Sequence, residues 1–447
     1  MDWMYLHAGV VLGTIIFSFI IARLLKLNLE ISLFTAAVMG LVVHGIIMPP
    51  RGFFSERFDW FEFPRHIVDG AFTYLDVILI FLTATFFMNL YSEAGGIAFL
   101  IRNIIKRFYR YRILTLLCLA FILLIPGALT GSGTVAVLIV GPLVAKVLTL
   151  MNLPADYVAA IIFLGAVMGA AAPPINLWAM MTAAGSNMPY VGFFLPLGIL
   201  SVAGALFSIL FLGRRSTAIN LEHALQTLPE VSVGIKNWWK ALAPFFVVLM
   251  LILAGRIWPW TFPVLGLPLI FMAAGMVVWI LNYQCINLWR VASNTVSQLL
   301  PLTGIMLVAG ILVQVMTLSG ARGLIALSVV TLPLPLIFAL LFLILPISEG
   351  AIQYAVAPLL GVPLILLFNM KGFNPIIALA GMSVMWPIGD MLPPTAIVGR
   401  AAVLVAGYSG PYYKGFVRRT LIPAVFILGL STLFVVFSNN LKILSKG

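Results

Sequence analysis

The sequence predicts an all-α polytopic membrane protein built as an inverted repeat, with two re-entrant helical hairpins and two broken helices. Three observations predict it. Of 447 residues, 63% are hydrophobic and only 9% are charged, far from a soluble domain. The apolar runs are continuous, which excludes an alternating membrane β-barrel. Helix-breaking motifs return in the second half of the chain at one fixed offset.

The net charge of +12 fits basic loops that hold the cytoplasmic side. No Lys/Arg-rich soluble region is present to hold nucleic acid, so that partner is excluded. Cys118 and Cys285 fall in or beside apolar segments and suggest no disulfide framework. The first apolar run lacks a cleavage site and is followed by Arg23 and Lys26, so it reads as a retained helix.

Apolar segments are expected at about 5–26, 31–48 and 71–91, then a first hairpin at 113–150. Segments follow at 158–181, 191–212, 241–258, 262–281 and 298–318. A second hairpin falls at 334–367, and the last segments at 374–407 and 416–437. Residues 1–213 form the first repeat, 214–240 a cytoplasmic linker, and 241–447 the second repeat. The broken helices lie at about 158–181 and 374–407. Basic clusters at 102–112, at Arg214, Arg215, Lys236 and Lys240, and at Lys414, Arg418 and Arg419 are assigned to the cytoplasm. Both termini and the loop at 49–69 then fall outside. Lys442 and Lys446 run against that trend.

Pro126-Gly-Ala-Leu-Thr130-Gly-Ser132-Gly133-Thr134 sits between apolar runs at 113–125 and 135–150. Each run is short for a span of about 20 residues, so the pair reads as a hairpin rather than one helix kinked at Pro126. Leu124-Ile125-Pro126 matches Ile344-Leu345-Pro346, and Pro173-Pro174 matches Pro393-Pro394, both 220 positions later. Interrupted helices in an inverted repeat mark secondary transporters.

Four elements are candidates for the site. At Thr130, Ser132, Gly133 and Thr134, hydroxyls and turning backbone meet two helix ends, which suit a substrate or a cation. Simple helix packing by small residues is the alternative. At Pro173-Pro174, freed carbonyls and Asn176 suit sodium, unless the kink is merely buried. At the second hairpin, Ser348, Glu349 and Gly350 place an ionisable group deep in the membrane, where it is costly without a partner. It reads as a cation ligand, a proton carrier or a solvated side chain. At the second break, Asp390, Pro393, Pro394 and Thr395 flank the interruption. Arg400 beyond it suits a carboxylate, or pairs with Asp390, or extends to the surface. His7 and His44 show no metal spacing, and Asp76 and Asn89 read as packing groups. No nucleophile triad, phosphate loop or zinc motif is visible, so the chain is expected not to be an enzyme.

Ser92-Glu-Ala-Gly-Gly96, Thr130–Thr134, Leu153-Pro-Ala-Asp-Tyr157, Ala172-Pro-Pro174 and the stretch from Asn374-Pro375 to Leu392-Pro-Pro394 together resemble the large membrane subunit of TRAP transporters, in the ion transporter superfamily. That resemblance implies an elevator mechanism and uptake of organic anions with sodium as the coupling ion, and no other cofactor. It places Ser132, Gly133, Thr134, Pro173, Pro174 and Asn176 at a first site for sodium and substrate. It places Ser348, Glu349, Gly350, Asp390, Pro393, Pro394 and Thr395 at a second. It also implies a small membrane subunit and a periplasmic binding protein as partners, in the bacterial inner membrane. Val135, Val137, Glu349 and Arg400 depart from the pattern.

The function expected is therefore secondary active transport of a small organic anion, such as a dicarboxylate or sugar acid, coupled to sodium. A proton-coupled or stand-alone carrier is the alternative, with Glu349 or Asp390 titrating. A channel, membrane receptor or assembly factor is the alternative of another class. Assembly into homo-oligomers is left open by the sequence.

Overall fold

The computed structural model describes residues 2–47, 63–228, 234–258, 260–263 and 265–446. The charged residues 51–62 of the outer loop and residues 229–233 of the linker lie outside these. Among the described residues there is no strand, and ten helices are long and apolar enough to cross a membrane. In lipid only such helices satisfy their own backbone groups.

The chain opens with a pair, α1 (Asp2–Leu24) and α2 (Leu29–Ile47). Next come α3 (Phe63–Phe72), α4 (Leu75–Glu93) and α5 (Gly96–Phe108). A hairpin follows, α6 (Arg112–Thr130) and α7 (Gly133–Leu150), then a broken helix, α8 (Ala155–Ala171) and α9 (Leu177–Gly185), and α10 (Phe194–Leu212). A short α11 (Leu221–Thr227) sits in the linker. The order then recurs. A pair, α12 (Trp238–Ile257) and α13 (Leu267–Leu281), precedes the long α14 (Leu288–Leu318) and α15 (Ala321–Val330). The second hairpin is α16 (Leu334–Ile352), an irregular stretch with a π-turn at Ala357–Gly361, and α17 (Val362–Met370). The second broken helix is α18 (Pro375–Met385), a tight turn Trp386–Met391, and α19 (Ile397–Val405), followed by α20 (Arg418–Val436).

Several boundaries differ from the sequence reading, each for a local reason. Pro126 and Pro346 lie inside helices and do not break them. Thr130 Oγ1 donates to the Pro126 carbonyl at 2.7 Å, and the chain turns only at Gly131, whose φ of 70° favours glycine. The arms α6 and α7 are thus 19 and 18 residues long, so length does not mark them as re-entrant. Position does. The Thr130–Gly133 tip packs on the break after α8, and the nine residues of α9 continue beyond it by about 13 Å. The expected segment at 71–91 is two helices, α3 and α4, and the basic cluster at 102–112 is partly α5. The segment expected to start at Gln298 starts at Leu288, because a polar stretch is helical too.

The two series run in opposite senses. Arg290 at the start of α14 pairs with Glu93 at the end of α4, and Asn89 donates to Thr295 at 2.8 Å. At the other end, a Cβ on Gly70 of α3 would meet the Ile311 backbone at 2.6 Å. The long α14 therefore lies antiparallel to α3–α4. The flanking pairs are exchanged between series: α2 packs on α14 and α13 on α4, with α1 against α15 and α12 against α5.

The ends of the hairpin and its neighbours gather the basic clusters. Arg112 donates to the carbonyls of Arg214 and Ser216, and Thr217 N–H to that of Met151. Arg419 pairs with Asp156 at 2.8 Å and lies over the Tyr157 ring. Both chain ends lie at the opposite end of the molecule. Ala8 and Gly9 adjoin Gly320 and Leu324, and Ser445 adjoins Gly192.

Helices in lipid gain from close backbone approach more than from apolar burial. Two glycines serve this at matching places. A Cβ on Gly169 of α8 would meet the Leu124 carbonyl of α6 at 2.9 Å. A Cβ on Gly389 would fall on the Pro346 carbonyl of α16. Each glycine holds a hairpin arm against a broken helix, four residues before its Pro-Pro pair.

Candidate functional site

Both tips and both breaks converge in the interior. At the first tip, Ser132 caps α7, its Oγ accepting from Val135 N–H at 3.4 Å. Its own N–H donates to Thr130 Oγ1 at 3.3 Å. The tip is tied to the first break by Ile175 N–H, which donates to the Ala128 carbonyl at 3.1 Å. Gly133 is packed near Val398 of α19, so the tip also touches the second broken helix.

At the first break, the Pro173-Pro174 bond is cis and Asn176 is fully buried. Its side chain has three partners. Oδ1 caps α9 by accepting from Ala179 N–H at 2.9 Å. Nδ2 donates to the Ala171 carbonyl at 2.9 Å and to Ser383 Oγ of α18 at 3.1 Å. The last bond joins the two series across 207 residues.

The second tip holds the charge. Glu349 is fully buried in the last turn of α16, and its Oε2 accepts from Trp178 Nε1 of α9 at 2.8 Å. Its Oε1 is buried with no hydrogen-bond partner among the described residues. Asp390, 3% exposed, lies close enough to act on Glu349 electrostatically. No basic side chain forms an ion pair with either among the described residues. Tyr354 stacks on Trp178 with ring centroids 4.7 Å apart and faces the Ser132 hydroxyl. Thr182 of α9 donates to the Ala357 carbonyl at 2.9 Å.

At the second break, Pro393-Pro394 is again cis. Thr395 clasps the tip, its Oγ1 donating to the Gly350 carbonyl at 2.8 Å and its N–H to the same oxygen at 3.2 Å.

The structure therefore brings together Thr130, Ser132, Gly133, Pro173, Pro174, Asn176, Glu349, Gly350, Asp390, Pro393, Pro394 and Thr395. Thr134, the second residue of α7, is half-buried. Ser348 turns its hydroxyl back to the Leu345 carbonyl at 2.8 Å. Arg400 is exposed on α19 and forms no ion pair with Asp390 among the described residues. His7 and His44 meet with ring centroids 5.0 Å apart and planes tilted at 57°, far along the chain from the tips. Trp178, Tyr354 and Ser383 were not singled out from the sequence. All three sit in apolar runs where an aromatic or a serine reads as packing.

Two neighbouring carboxylates buried without a cation are costly unless a proton or metal ion joins them. The arrangement is thus able to take up a cation. Its four helix interruptions also offer carbonyl and amide ends to a polar solute.

No family model matches the chain, and no curated protein matches it. Solved structures do. One is that of MtrF from Neisseria gonorrhoeae, described with a class of antimetabolite efflux pumps. It is 14% identical with a TM-score of 0.62, over 91% of this chain and 94% of that one. Another is the YdaH transporter of Alcanivorax borkumensis, described as having an unusual topology. It is 15% identical with a TM-score of 0.64, over 92% of this chain and 97% of that one. The chain shares their fold.

Proposed function

We propose that this protein is a secondary active transporter of a small organic solute, coupled to a cation held at Glu349 and Asp390. The observation that carries the proposal is the pair of buried carboxylates at the meeting point of tips and breaks, with no ion pair to a basic side chain among the described residues. The fold it shares with two transporters of nearly equal extent supports a carrier of comparable build, in a cell membrane.

The moving unit is both hairpins with both broken helices, and α1–α5 and α12–α15 form the scaffold. Rigid movement of that unit gives alternating access as an elevator. The inner side is the end carrying the basic clusters, so both termini face outward.

Sodium is the cation that the TRAP resemblance implies. Ser132, Asn176, Thr395 and the carbonyls beside Pro173 and Pro393 supply its oxygens. A proton is the second reading, favoured by Glu349 Oε1, which is buried with no partner. One proton relieves both carboxylates without further ligands. Arg400, exposed on α19 beyond the second break, is the basic side chain on offer to the organic anion that the same resemblance implies. The small membrane subunit and the binding protein are tested by activity of this chain alone in proteoliposomes.

The test of coupling uses the purified protein and the cation itself. Thermal stability is measured with sodium replacing choline, from acidic to alkaline pH. We expect it to respond to one of the two cations, and the response to vanish in Glu349→Gln and Asp390→Asn. Wild-type protein indifferent to both would overturn the reading.

A further inference from the structure

A second polar feature lies apart from the carboxylates. A cavity of about 300 Å³ opens between α4, α14 and the outgoing hairpin arm α7. Asn89, Ser92, Asn294 and Gln298 line one side, and Leu138 and Ile139 the other. Gln298 lies ten residues into α14, about 15 Å from its basic end, so the cavity reaches membrane depth. Polar side chains at that depth that face a cavity rather than lipid point to function.

The chemistry of the lining is specific. Ser92, Asn294 and Gln298 make no side-chain hydrogen bond among the described residues, and Asn89 uses only its Nδ2, toward Thr295. Glu93 at the rim is neutralised by Arg290. Apart from this ion pair and Val291, the wall is made of carboxamides and a hydroxyl that present donors and acceptors side by side, and it carries no net charge. The opposite wall is apolar. Thr134 of the first tip lies four residues before Leu138, on the same face of α7.

We infer that this cavity is the solute site on the inner side. Its ligand is an uncharged, single-ring lactam or carboxamide, not a dicarboxylate. Paired donors and acceptors on the ligand would meet the three amide side chains, and its ring face Leu138 and Ile139. The volume is at the small end for ligand pockets and admits one ring. This rests on the transport reading, and it assigns the cargo that reading leaves open.

The test is calorimetric titration of the purified full chain with uracil, nicotinamide and succinate. We expect uracil or nicotinamide to bind and succinate not to. Asn294→Leu and Gln298→Leu should each weaken binding at least tenfold, while Lys371→Gln, an exposed position at the end of α17, leaves it intact. Should those leucine variants unfold, Ser92→Ala and protection of Asn294→Cys from maleimide by the bound ligand give the same reading. Succinate binding alone, no binding of either ring compound, or binding untouched by the cavity variants would overturn the inference. Wild-type protein that binds the ring compound but shows no response to either cation would sink the coupling reading instead.

Discussion

The two breaks of this molecule share a frame and differ in chemistry. At the same offset of 220, Gly169 matches Gly389 and each Pro-Pro pair matches the other. Yet Leu129 stands where the second half has Glu349, Ala170 where it has Asp390, and Met180 where it has Arg400. Asn176 caps α9, while its counterpart Ala396 starts α19 at a φ of 46° with no side-chain cap. The first break is thus the better built and the second the charged one. Duplication set the backbone geometry twice, and ionisable chemistry was placed in one copy only.

The comparison can be broken at its strongest point first. Replacing Glu349 by Gln or Asp390 by Asn removes the shared charge. A coupling free energy of ordinary size corresponds to about a hundredfold loss of gradient-driven flux, measured in proteoliposomes. Leu129→Ala and Ala170→Ser, at the matching positions, should leave coupling unchanged; an equal loss there would erase the asymmetry.

Next in size is the packing of each arm on its break. Gly389→Ala would drive a methyl into the Pro346 carbonyl, at a cost of about 3 kcal/mol. Gly169→Ala, with its nearest carbonyl at 2.9 Å, should cost about 1 kcal/mol. Thermal unfolding of both variants in detergent checks the order, and equal losses would contradict it.

Trp178→Phe leaves the Glu349 carboxylate without its indole donor. We expect about a tenfold weaker cation response, the value of one hydrogen bond to a charged group. Because Trp178 belongs to the first series, this variant reads how far the uncharged break serves the charged one.

The smallest effects concern the caps. Asn176→Ala should destabilise by about 1 kcal/mol through loss of the α9 cap. Ala396→Asn should stabilise slightly, by about 0.5 kcal/mol, since asparagine accepts left-handed backbone more readily than alanine. Opposite signs in the same melting assay would sharpen the contrast between the breaks.

Much of this frame was legible because proline and glycine interrupt apolar periodicity wherever they stand. Both hairpins, both breaks and the offset follow from that punctuation. Where each chain turns was not legible, since Pro126 and Pro346 are held within helices and the turns come later. Gly169 and Gly389 were visible four residues before each Pro-Pro pair, but their role requires the facing carbonyl. Trp178 reaches Glu349 across 171 residues, and no local pattern announces such a meeting. Asn294 escaped notice because its polar stretch resembles a loop until the cavity beside it is seen.

The exchange of flanking pairs has a consequence for biogenesis. The surface that α2 is shaped to meet is on α14, which the ribosome makes only after the whole first series and the linker. Until Leu288 and its successors enter the bilayer, the amino-terminal pair has lipid for a neighbour where it will later have protein. A chain interrupted in the linker would thus strand two incomplete seams, and supplying the missing half as a separate polypeptide should restore both.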